Sequence, residues 1–518
     1  MQLTRSADRL AESTVIYCRR AAVVFMSQNS LVQQVLEKYK PIWALDHATG
    51  LLEWDLETYM PEDASKPRGF AFAQLALMKQ ERIKDAAGLV SKAQNLDGLS
   101  DQDRGILRVA KREVDYYTKV PPKLLEDLNR TSIEGTVVWR EARRKSDFPM
   151  FKPWLEKIVD LKKQEAEKLG YKGHPYNALL DRYEEELTVT DVDKVFSELV
   201  PSLKRILGKV LAEGKFPSTH PLASIKYEEE AMKRVNAEVL RILGMPEKTF
   251  RMDVSTHPFT SGIAVEDVRI TTRYEGVNFK DTMYSVIHEC GHALYELQTD
   301  PALEYTPLSR ATSLGVHESQ SRFWENVIGR SREFTTLVYP ILKKHLPFVG
   351  GYSEEDVYRY FNMVKPSLIR VDADELTYNF HIVLRYEVEK KLIGGDLPVS
   401  EVPAYWNEKM EEFVGVRPKD DAEGVLQDIH WSGGGIGYFP TYSLGNVIGG
   451  MIFNRIQKDI NLSDVIKRAD LAPIKAWLKD HIHKYGGTYS PKDLQRKLFN
   501  EAYNPQYLVT YLEQKFLS

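Results

Sequence analysis

The sequence predicts a mainly α-helical protein, organised as one large domain with a small β-sheet near its middle. Apolar residues recur at three- and four-residue spacing among lysines and glutamates in segments 101–118, 154–170, 193–213 and 227–243, a pattern typical of amphipathic helices. The interval 249–275 is instead rich in Thr, Val, Ile and Phe, which favours two or three short strands. Neither a repeat nor a shift in composition divides the chain. One domain is therefore favoured over the three or four that about 150 residues per domain would suggest.

The elements follow in order along the chain. Residues 1–25 are interpreted as a disordered or misassigned extension upstream of a start at Met26, with a weak transit peptide as the alternative. A helix is expected after Met26, because five apolar residues share one face: Leu31, Val32, Val35, Leu36 and Tyr39. Prolines are expected between the helices that follow, where they break them: Pro121, Pro122, Pro149, Pro153, Pro201, Pro217 and Pro221. Helices return from residue 278, and residues 26–518 are assigned to a single domain.

Charge, cysteine content and hydropathy exclude several classes of protein. The 70 Lys and Arg residues nearly balance 74 Asp and Glu residues, for a net charge of −4, which argues against nucleic-acid binding as the main function. Two cysteines, Cys18 and Cys290, exclude a disulfide framework and fit a reducing compartment, so we expect a cytoplasmic protein. No apolar run approaches the roughly 18 residues that span a bilayer, so we expect no membrane partner.

The motif His288-Glu289-Cys290-Gly291-His292 is the strongest chemical signal in the sequence. On a helix, positions 288 and 292 lie about 40° apart, so both imidazoles project from one face and can share a metal ion. Glu289 lies about 100° further round, where it can act on a water activated by the metal without binding the metal itself. Cys290 falls on the far face and is a poor ligand.

A catalytic zinc usually takes three protein ligands, so a third must come from elsewhere. The chain after His292 offers six candidates: Glu296, Asp300, Glu304, His317, Glu318 and Glu325. A helix rarely supplies three ligands to one tetrahedral ion, which weakens Glu296. Glu318 is favoured because the intervening residues suffice for a turn and a returning helix. Spacing alone leaves the alternative that Glu318 is an ordinary solvated carboxylate.

Several motifs in a fixed order resemble those of the carboxypeptidase Taq family of thermostable metallocarboxypeptidases. The resemblance covers almost everything after about residue 30. The motifs are LLEWDLETYMP at 51–61, HPF at 257–259, D-x-R-x-T at 267–271, HECGH at 288–292, HESQSR at 317–322, I-R-x-x-A-D at 369–374 and G-x-x-Q-D-x-H-W at 424–431. Seven matches in one order are far more specific than H-E-x-x-H alone.

The resemblance implies a helical fold shaped like a saddle or clamshell around a deep groove. It implies His288, His292 and Glu318 as metal ligands and Glu289 as the catalytic base, and it suggests a homodimer. We expect a small antiparallel β-sheet beside the H-E-x-x-H helix. One divalent metal ion per chain is expected, Zn²⁺ in the first place and Co²⁺ as the alternative.

Two arginines lie in the family motifs and could bind the C-terminal carboxylate of a substrate, which the planar guanidinium does best. Arg370 is favoured and Arg269 is the second candidate. Each could instead form a structural ion pair, with Asp267, Asp372 or Asp374 as partner. By resemblance to angiotensin-converting enzyme and its relatives, His257 is expected to bind the substrate backbone; a turn histidine before a proline is its alternative.

A glycine-rich stretch from residue 430 to 442 contains the candidates for stabilising the oxyanion. In related helical zinc peptidases a histidine and a tyrosine of a comparable segment do this, and the reaction needs donors where negative charge develops. His430 and Tyr438 fit that role, with Tyr442 as the alternative to Tyr438. The glycines are interpreted as a flexible hinge beside the site.

These observations predict a zinc-dependent metallocarboxypeptidase, with residues 26–518 as its catalytic domain. It would release single C-terminal amino acids, with Glu289 passing a proton from the attacking water to the leaving amine. Its partners would be peptides with a free C-terminal carboxylate, and neither nucleic acid nor membrane. The alternatives are an endo-oligopeptidase of the same helical clan and, less favoured, a scaffold without activity.

Overall fold

The computed structural model describes residues 25–518, so the predicted extension at 1–25 lies, except for its last residue, outside the described part of the chain. The described residues are mainly helical, which confirms the predicted fold class. The helices are α1 (Ser30–Thr58), α2 (Ser65–Ala93), α3 (Asp101–Lys119), α4 (Pro122–Lys145), α5 (Phe148–Leu169), α6 (Tyr176–Tyr183), α7 (Val189–Glu213), α8 (Glu229–Leu243), α9 (Phe279–Gln298), α10 (Leu314–Arg322), α11 (Arg332–His345), α12 (Glu354–Phe361), α13 (Tyr378–Gly394), α14 (Val402–Val414), α15 (Pro440–Ile456), α16 (Leu462–Lys467), α17 (Ala472–His481), α18 (Pro491–Phe499) and α19 (Gln506–Leu517).

A three-stranded sheet occupies the interval that the sequence marked as strand-like. Its strands are β1 (Phe250–Val254), β2 (Thr260–Ala264) and β3 (Asp267–Thr272), in the spatial order β1-β3-β2. The pairing of β2 with β3 is antiparallel, as expected, but β1 runs parallel to β3. The sheet is therefore mixed, because the chain crosses from β1 to the far side of β3 before it turns back.

Of the prolines that were expected between helices, Pro122 and Pro149 lie in the first turn of a helix, where proline is tolerated, and two others lie in helix interiors. Pro153 belongs to α5 and Pro201 to α7. An interior proline removes one backbone hydrogen bond, but α7 buries nine of its residues, including Leu199, Leu203 and Ile206. Tertiary burial of an apolar face provides most of the stability of a helix in a protein, and here it outweighs the lost bond.

Helix α9, which carries the H-E-x-x-H motif, runs through the main hydrophobic core. Val286, Ile287, Cys290 and Ala293 are fully buried on its core side. Its neighbours in the core include α8 and α10, while α1, α2 and α3 form a smaller apolar cluster of their own. None of the helices in the described part of the chain combines the length and the apolar character that a membrane crossing requires.

Candidate metal centre and catalytic site

Three side chains with metal-binding atoms converge at one point between α9 and α10. The two imidazoles of His288 and His292 lie one helical turn apart, with ring centroids separated by 4.9 Å. Oε2 of Glu318 lies 3.6 Å from Nε2 of His288 and 3.3 Å from Nε2 of His292. One potential ligand atom from each residue lies within 4.8 Å of the others. Two imidazoles and a carboxylate form a donor set typical of catalytic zinc.

Two glycines allow the helices to approach closely enough to form this cluster. A Cβ atom on Gly291 of α9 would lie 2.6 Å from Cα of Ser321, and one on Gly445 of α15 would lie 2.6 Å from Cγ of Glu318. Real Cβ atoms essentially never come closer than 3.0 Å. Helix α10 is therefore held between α9 and α15 at contacts that only glycine permits, and this fixes Glu318 opposite the two histidines.

Glu325 lies behind His288 instead of among the ligands. Its Oε2 is 2.9 Å from Nδ1 of His288, which leaves Nε2 of that ring directed to the cluster. Arg330 donates to Oε1 of Glu325 at 2.9 Å and Arg322 donates to Oε2 at 3.2 Å. Burial opposes its ionisation, yet these two arginines and the His288 contact hold the pKa of Glu325 far below its usual value. It lies on a π-helical turn, Phe323–Gly329, that follows α10 directly.

The charges around the cluster favour a cation. Arg322 donates to Oε1 of Glu318 at 2.7 Å, so the carboxylate faces the histidines with its other oxygen. Burial lowers the pKa of His288, but the charges of Glu318 and Glu325 outweigh it and raise the pKa overall. Burial lowers the pKa of His292 to about 3, which keeps this ring neutral and able to ligate. The residues present therefore fit a divalent metal ion.

The other candidates for a third ligand have structural partners. His317 stacks on His292 with ring centroids 4.3 Å apart, and its Nε2 lies 3.0 Å from Oε1 of Glu296. Asp300 accepts from the backbone N–H of Ala302 at 2.9 Å and Glu304 accepts from that of Val265 at 2.8 Å. Of the six carboxylates and imidazoles considered from the sequence, only Glu318 places an atom close enough to both histidines to share a metal ion with them.

Glu289 is buried beside the ligands and contacts the sheet. The hydroxyl of Thr260, the first residue of β2, donates to Oε2 of Glu289 at 2.6 Å. Burial raises the pKa of Glu289 above its usual value, although the hydrogen bond from Thr260 opposes the rise. A carboxylate with a raised pKa and one oxygen held by a hydroxyl suits proton transfer. The role of Thr260 had no signal in the sequence, because it depends on strand β2 lying against α9.

Arg370 forms an ion pair, but with a partner that the sequence did not suggest. Its Nε and Nη2 donate to Oδ1 of Asp428 at 2.9 and 2.8 Å, and its Nη1 donates to the hydroxyl of Tyr378 at 3.0 Å. The expected partners Asp372 and Asp374 do not take part. Arg385, whose side chain is fully buried, donates to the other oxygen of Asp428 at 2.6 Å. Two guanidinium groups thus share one carboxylate and leave a net positive charge.

The other two predicted substrate-binding residues lie at the sheet. Arg269 donates to both oxygens of Asp267 at 2.7 Å, which is the structural ion pair left open as an alternative, and its guanidinium lies over the ring of Trp54. His257 lies exposed in the bend between β1 and β2 and not on a strand. Pro258 follows it and cannot donate to a strand ladder, which favours a turn at this point.

His430, Tyr438 and Tyr442 form one aromatic group next to Arg370. The ring centroids of Tyr438 and Tyr442 are 5.2 Å apart, those of His430 and Tyr438 are 5.4 Å apart, and Arg370 lies over the ring of Tyr442. Burial raises the pKa of both tyrosines, and the charge of Glu318 adds to the rise. Burial lowers the pKa of His430 to about 4, so its ring is neutral at neutral pH. The group therefore lies between the metal cluster and the arginine pair.

Comparison with known proteins finds similarity to one family, along nearly the whole chain. Residues 34–516 match the family model described as carboxypeptidase Taq (M32) metallopeptidase. The chain is 46% identical over 494 residues to thermostable carboxypeptidase 1 of Pyrococcus furiosus and 35% identical over 498 residues to carboxypeptidase 1 of Bacillus subtilis; in both cases 95% of this chain and 99% of the relative are covered. The solved structure of the Pyrococcus furiosus carboxypeptidase superposes with a TM-score of 0.93, covering 95% of this chain and 100% of the other.

Proposed function

Since the chain belongs to the carboxypeptidase Taq (M32) metallopeptidase family and is a metallocarboxypeptidase, a peptide hydrolase, we propose that His288, His292 and Glu318 hold its metal ion. The observation that carries this proposal is the convergence of their ligand atoms within 4.8 Å, with Nδ1 of His288 already occupied by Glu325. We propose Zn²⁺ as the ion, because two imidazoles and one carboxylate suit it, and Co²⁺ as the substitute. When bound, the ion supplies Lewis-acid polarisation of the scissile carbonyl and of water.

Glu289 is the proposed base. Its Oε2 accepts the hydroxyl of Thr260, so Oε1 is the oxygen available to take a proton from the attacking water and to return it to the leaving amine. The raised pKa of Glu289, caused by burial, brings its proton affinity closer to that required at neutral pH. The peptide bond that breaks is the last one, and the product is a single C-terminal amino acid.

Arg370 is the proposed anchor for the substrate's C-terminal carboxylate. A guanidinium has five N–H donors, and three of those of Arg370 are engaged by Asp428 and Tyr378. The remaining two can bind a carboxylate, and Arg385 ensures that Asp428 does not cancel the charge locally. Arg269 and His257 remain secondary candidates, for a second contact to the substrate along the sheet.

His430 and Tyr438 are proposed to donate to the oxygen that becomes negative during the attack, with Tyr442 as the alternative to Tyr438. A neutral imidazole and a phenol are both hydrogen-bond donors, and the pKa shifts that burial imposes keep them in those forms at neutral pH. Such donors stabilise the transition state more than the substrate, because the negative charge is present only there.

A timed digest of a peptide mixture tests the function. We expect successive loss of single C-terminal residues from peptides with a free carboxylate, arrest by a chelator, and recovery on adding Zn²⁺ alone. C-terminally amidated versions of the same peptides should resist. Internal cleavage at a comparable rate, or equal cleavage of amidated peptides, would contradict the proposal.

We also propose a homodimer that works in the cytoplasm. The free, buried thiol of Cys290 is compatible with a reducing compartment. Light scattering on the purified full chain decides the oligomeric state, and cell fractionation followed by immunodetection decides the compartment.

A further inference from the structure

A buried carboxylate on α13 accepts hydrogen bonds from three donors in two different parts of the chain. Oε1 of Glu389 accepts from the indole N–H of Trp431 at 2.7 Å. Its Oε2 accepts from the backbone N–H of Gly437 at 2.8 Å and from the hydroxyl of Tyr176. Glu389 is fully buried, as is Tyr176, and Trp431 is nearly so. Both of its oxygens therefore accept from protein groups, two of which belong to the glycine-rich segment, residues 430–442.

The two donors from this segment are the immediate neighbours of the proposed oxyanion residues. Trp431 follows His430, and Gly437 precedes Tyr438. Gly437 has a φ of 102°, and a Cβ atom there would lie 2.7 Å from the carbonyl oxygen of Leu179. The backbone at Gly437 is thus pressed against the middle of α6 in a conformation that other residues rarely adopt. One carboxylate holds the segment at both Trp431 and Gly437, which is the opposite of a free hinge.

Glu389 lies on a face of α13 whose residues contact the site from one end of the helix to the other. Positions 378, 385 and 389 differ by no more than about 40° around the helix. Tyr378 accepts from Arg370, and Arg385 donates to Asp428. The same helix therefore contacts the anchor for the substrate's carboxylate at one end and the oxyanion segment at the other.

We infer that Glu389 is a positioning residue: it fixes His430 and Tyr438 relative to the metal cluster by holding Trp431 and Gly437. This inference rests on the role proposed above for His430 and Tyr438. A purely structural role explains the contacts less well. Burying a carboxylate is costly, and burial raises the pKa of Glu389 to about 7 despite its three hydrogen bonds. An apolar side chain would fill the same core position at lower cost, but it could not fix two chain segments by hydrogen bonds.

The variant Glu389→Gln tests the inference because an amide cannot reproduce the contacts. It offers one acceptor oxygen and one donor nitrogen, so either Trp431 or Gly437 must face an N–H group, whichever way the amide is oriented. Hydrogen exchange is followed by mass spectrometry on the metal-loaded enzyme. We expect at least tenfold faster exchange in residues 432–438. With a peptide substrate, we expect kcat to fall about tenfold with little change in KM, since the donors act in the transition state.

Asp193→Asn is the matched control. Asp193 accepts from Tyr386 and Lys390, two residues of α13 that lie on either side of Glu389 in sequence, and neither belongs to the segment. The variant perturbs the same part of α13 and should leave both the exchange of 432–438 and kcat unchanged. If Glu389→Gln does not fold, Trp431→Phe removes the indole N–H together with part of the ring, and it should speed the exchange of the same segment and lower kcat.

The outcomes separate this inference from the proposed function. Exchange in 432–438 that matches the wild type or the control overturns the inference. Faster exchange with unchanged kcat also overturns it, provided that Tyr438→Phe and His430→Gln lower kcat. If those two variants keep the wild-type kcat, the oxyanion assignment has failed, and with it the role of Glu389 in the reaction, whatever the exchange shows.

Discussion

Nδ1 of His288 lies 2.9 Å from Oε2 of Glu325, and the same carboxylate is held by Arg322 and Arg330. This contact fixes the tautomer of the ring, because the proton on Nδ1 points at the carboxylate and leaves the lone pair of Nε2 for the proposed metal ion. The two arginines hold Glu325 away from the His288, His292 and Glu318 cluster. Glu325, one of the ligand candidates expected from the sequence, is therefore placed to support the proposed ligand His288.

We expect Glu325→Gln to weaken metal binding by about 10- to 100-fold, the range typical for removal of such a support. Competition with a chelator of known affinity measures the effect. Glu355→Gln, which removes an exposed carboxylate that pairs with Arg332, is the control and should bind the metal normally. Equal metal affinity for both variants would contradict the role of Glu325.

Glu289→Gln should retain the metal and lose activity. The amide can still accept from Thr260, so the local structure is kept, but it cannot take a proton from water. Loss of a general base typically costs about 10²- to 10⁴-fold in rate. Metal stoichiometry and kcat are measured on one preparation. A variant that keeps both its metal and its turnover would eliminate Glu289 as the base.

The two motif arginines should respond differently to replacement by lysine. Arg370→Lys loses the planar fork, and we expect kcat/KM for peptides with a free carboxylate to fall at least about 100-fold. Arg269→Lys keeps a charge beside Asp267 and should change kcat/KM only a few-fold. Steady-state kinetics on one peptide series decides between them. A larger loss for Arg269→Lys would transfer the role of carboxylate anchor to that residue.

Because Glu184 is buried, the unfolding free energy of the protein should rise as the pH falls from neutral to mildly acidic. Burial raises the pKa of this fully buried carboxyl to about 7 although Gly315, Tyr503, Ser313 and Lys492 favour its charged form. A folded-state pKa above the unfolded value of 4.5 means that the folded state binds the proton more tightly. The contribution is therefore complete below about pH 4.5 and is lost as the pH rises through about 7.

Glu184→Gln removes this titration. Between pH 8 and pH 5 the wild type should gain up to about 3 kcal/mol more unfolding free energy than the variant, at about 1.4 kcal/mol per pKa unit. Denaturant unfolding at both pH values measures the difference, and Glu186→Gln, an exposed neighbour, should behave as the wild type. An equal gain in wild type and Glu184→Gln would show that Glu184 is ionised in the folded protein.

Local regularity explains which parts could be predicted from the sequence. Helix geometry fixes two residues four apart on one face, so His288 and His292 could be assigned as a pair. Glu318 could be chosen by spacing only as one of six candidates; the choice relied on the motif order. The position of Glu325 behind His288 depends on a π-helical turn, which changes the direction in which the following side chains project. The spacing of apolar residues in the sequence does not predict such a turn.

Contacts between distant segments could not be predicted. Asp428 is 58 residues from Arg370, and its own motif gave no reason to pair them, whereas Asp372 and Asp374 were neighbours in sequence. The parallel pairing of β1 with β3 depends on a crossover that three short strands do not specify. The prolines inside α5 and α7 were misplaced because propensity is local and burial is not.

Two glycines of α15, one helical turn apart, offer the sharpest test of how packing fixes the metal site. A Cβ atom on Gly445 would lie 2.6 Å from Cγ of Glu318, whereas one on Gly449 would meet its nearest atom, the carbonyl oxygen of Ser319, at 3.7 Å. Gly449→Ala should therefore gain about 0.5–1 kcal/mol of stability from helix propensity and keep its metal affinity. Gly445→Ala gains the same propensity, but it must displace Glu318 or separate α15 from α10.

Because metal ligation depends on sub-ångström placement, we expect at least a tenfold loss of metal affinity in the chelator competition for Gly445→Ala alone. Thermal unfolding without metal reports the packing cost separately. Equal metal affinity in the two variants would mean that Glu318 is positioned by its own helix and by Arg322, and not by the contact with α15.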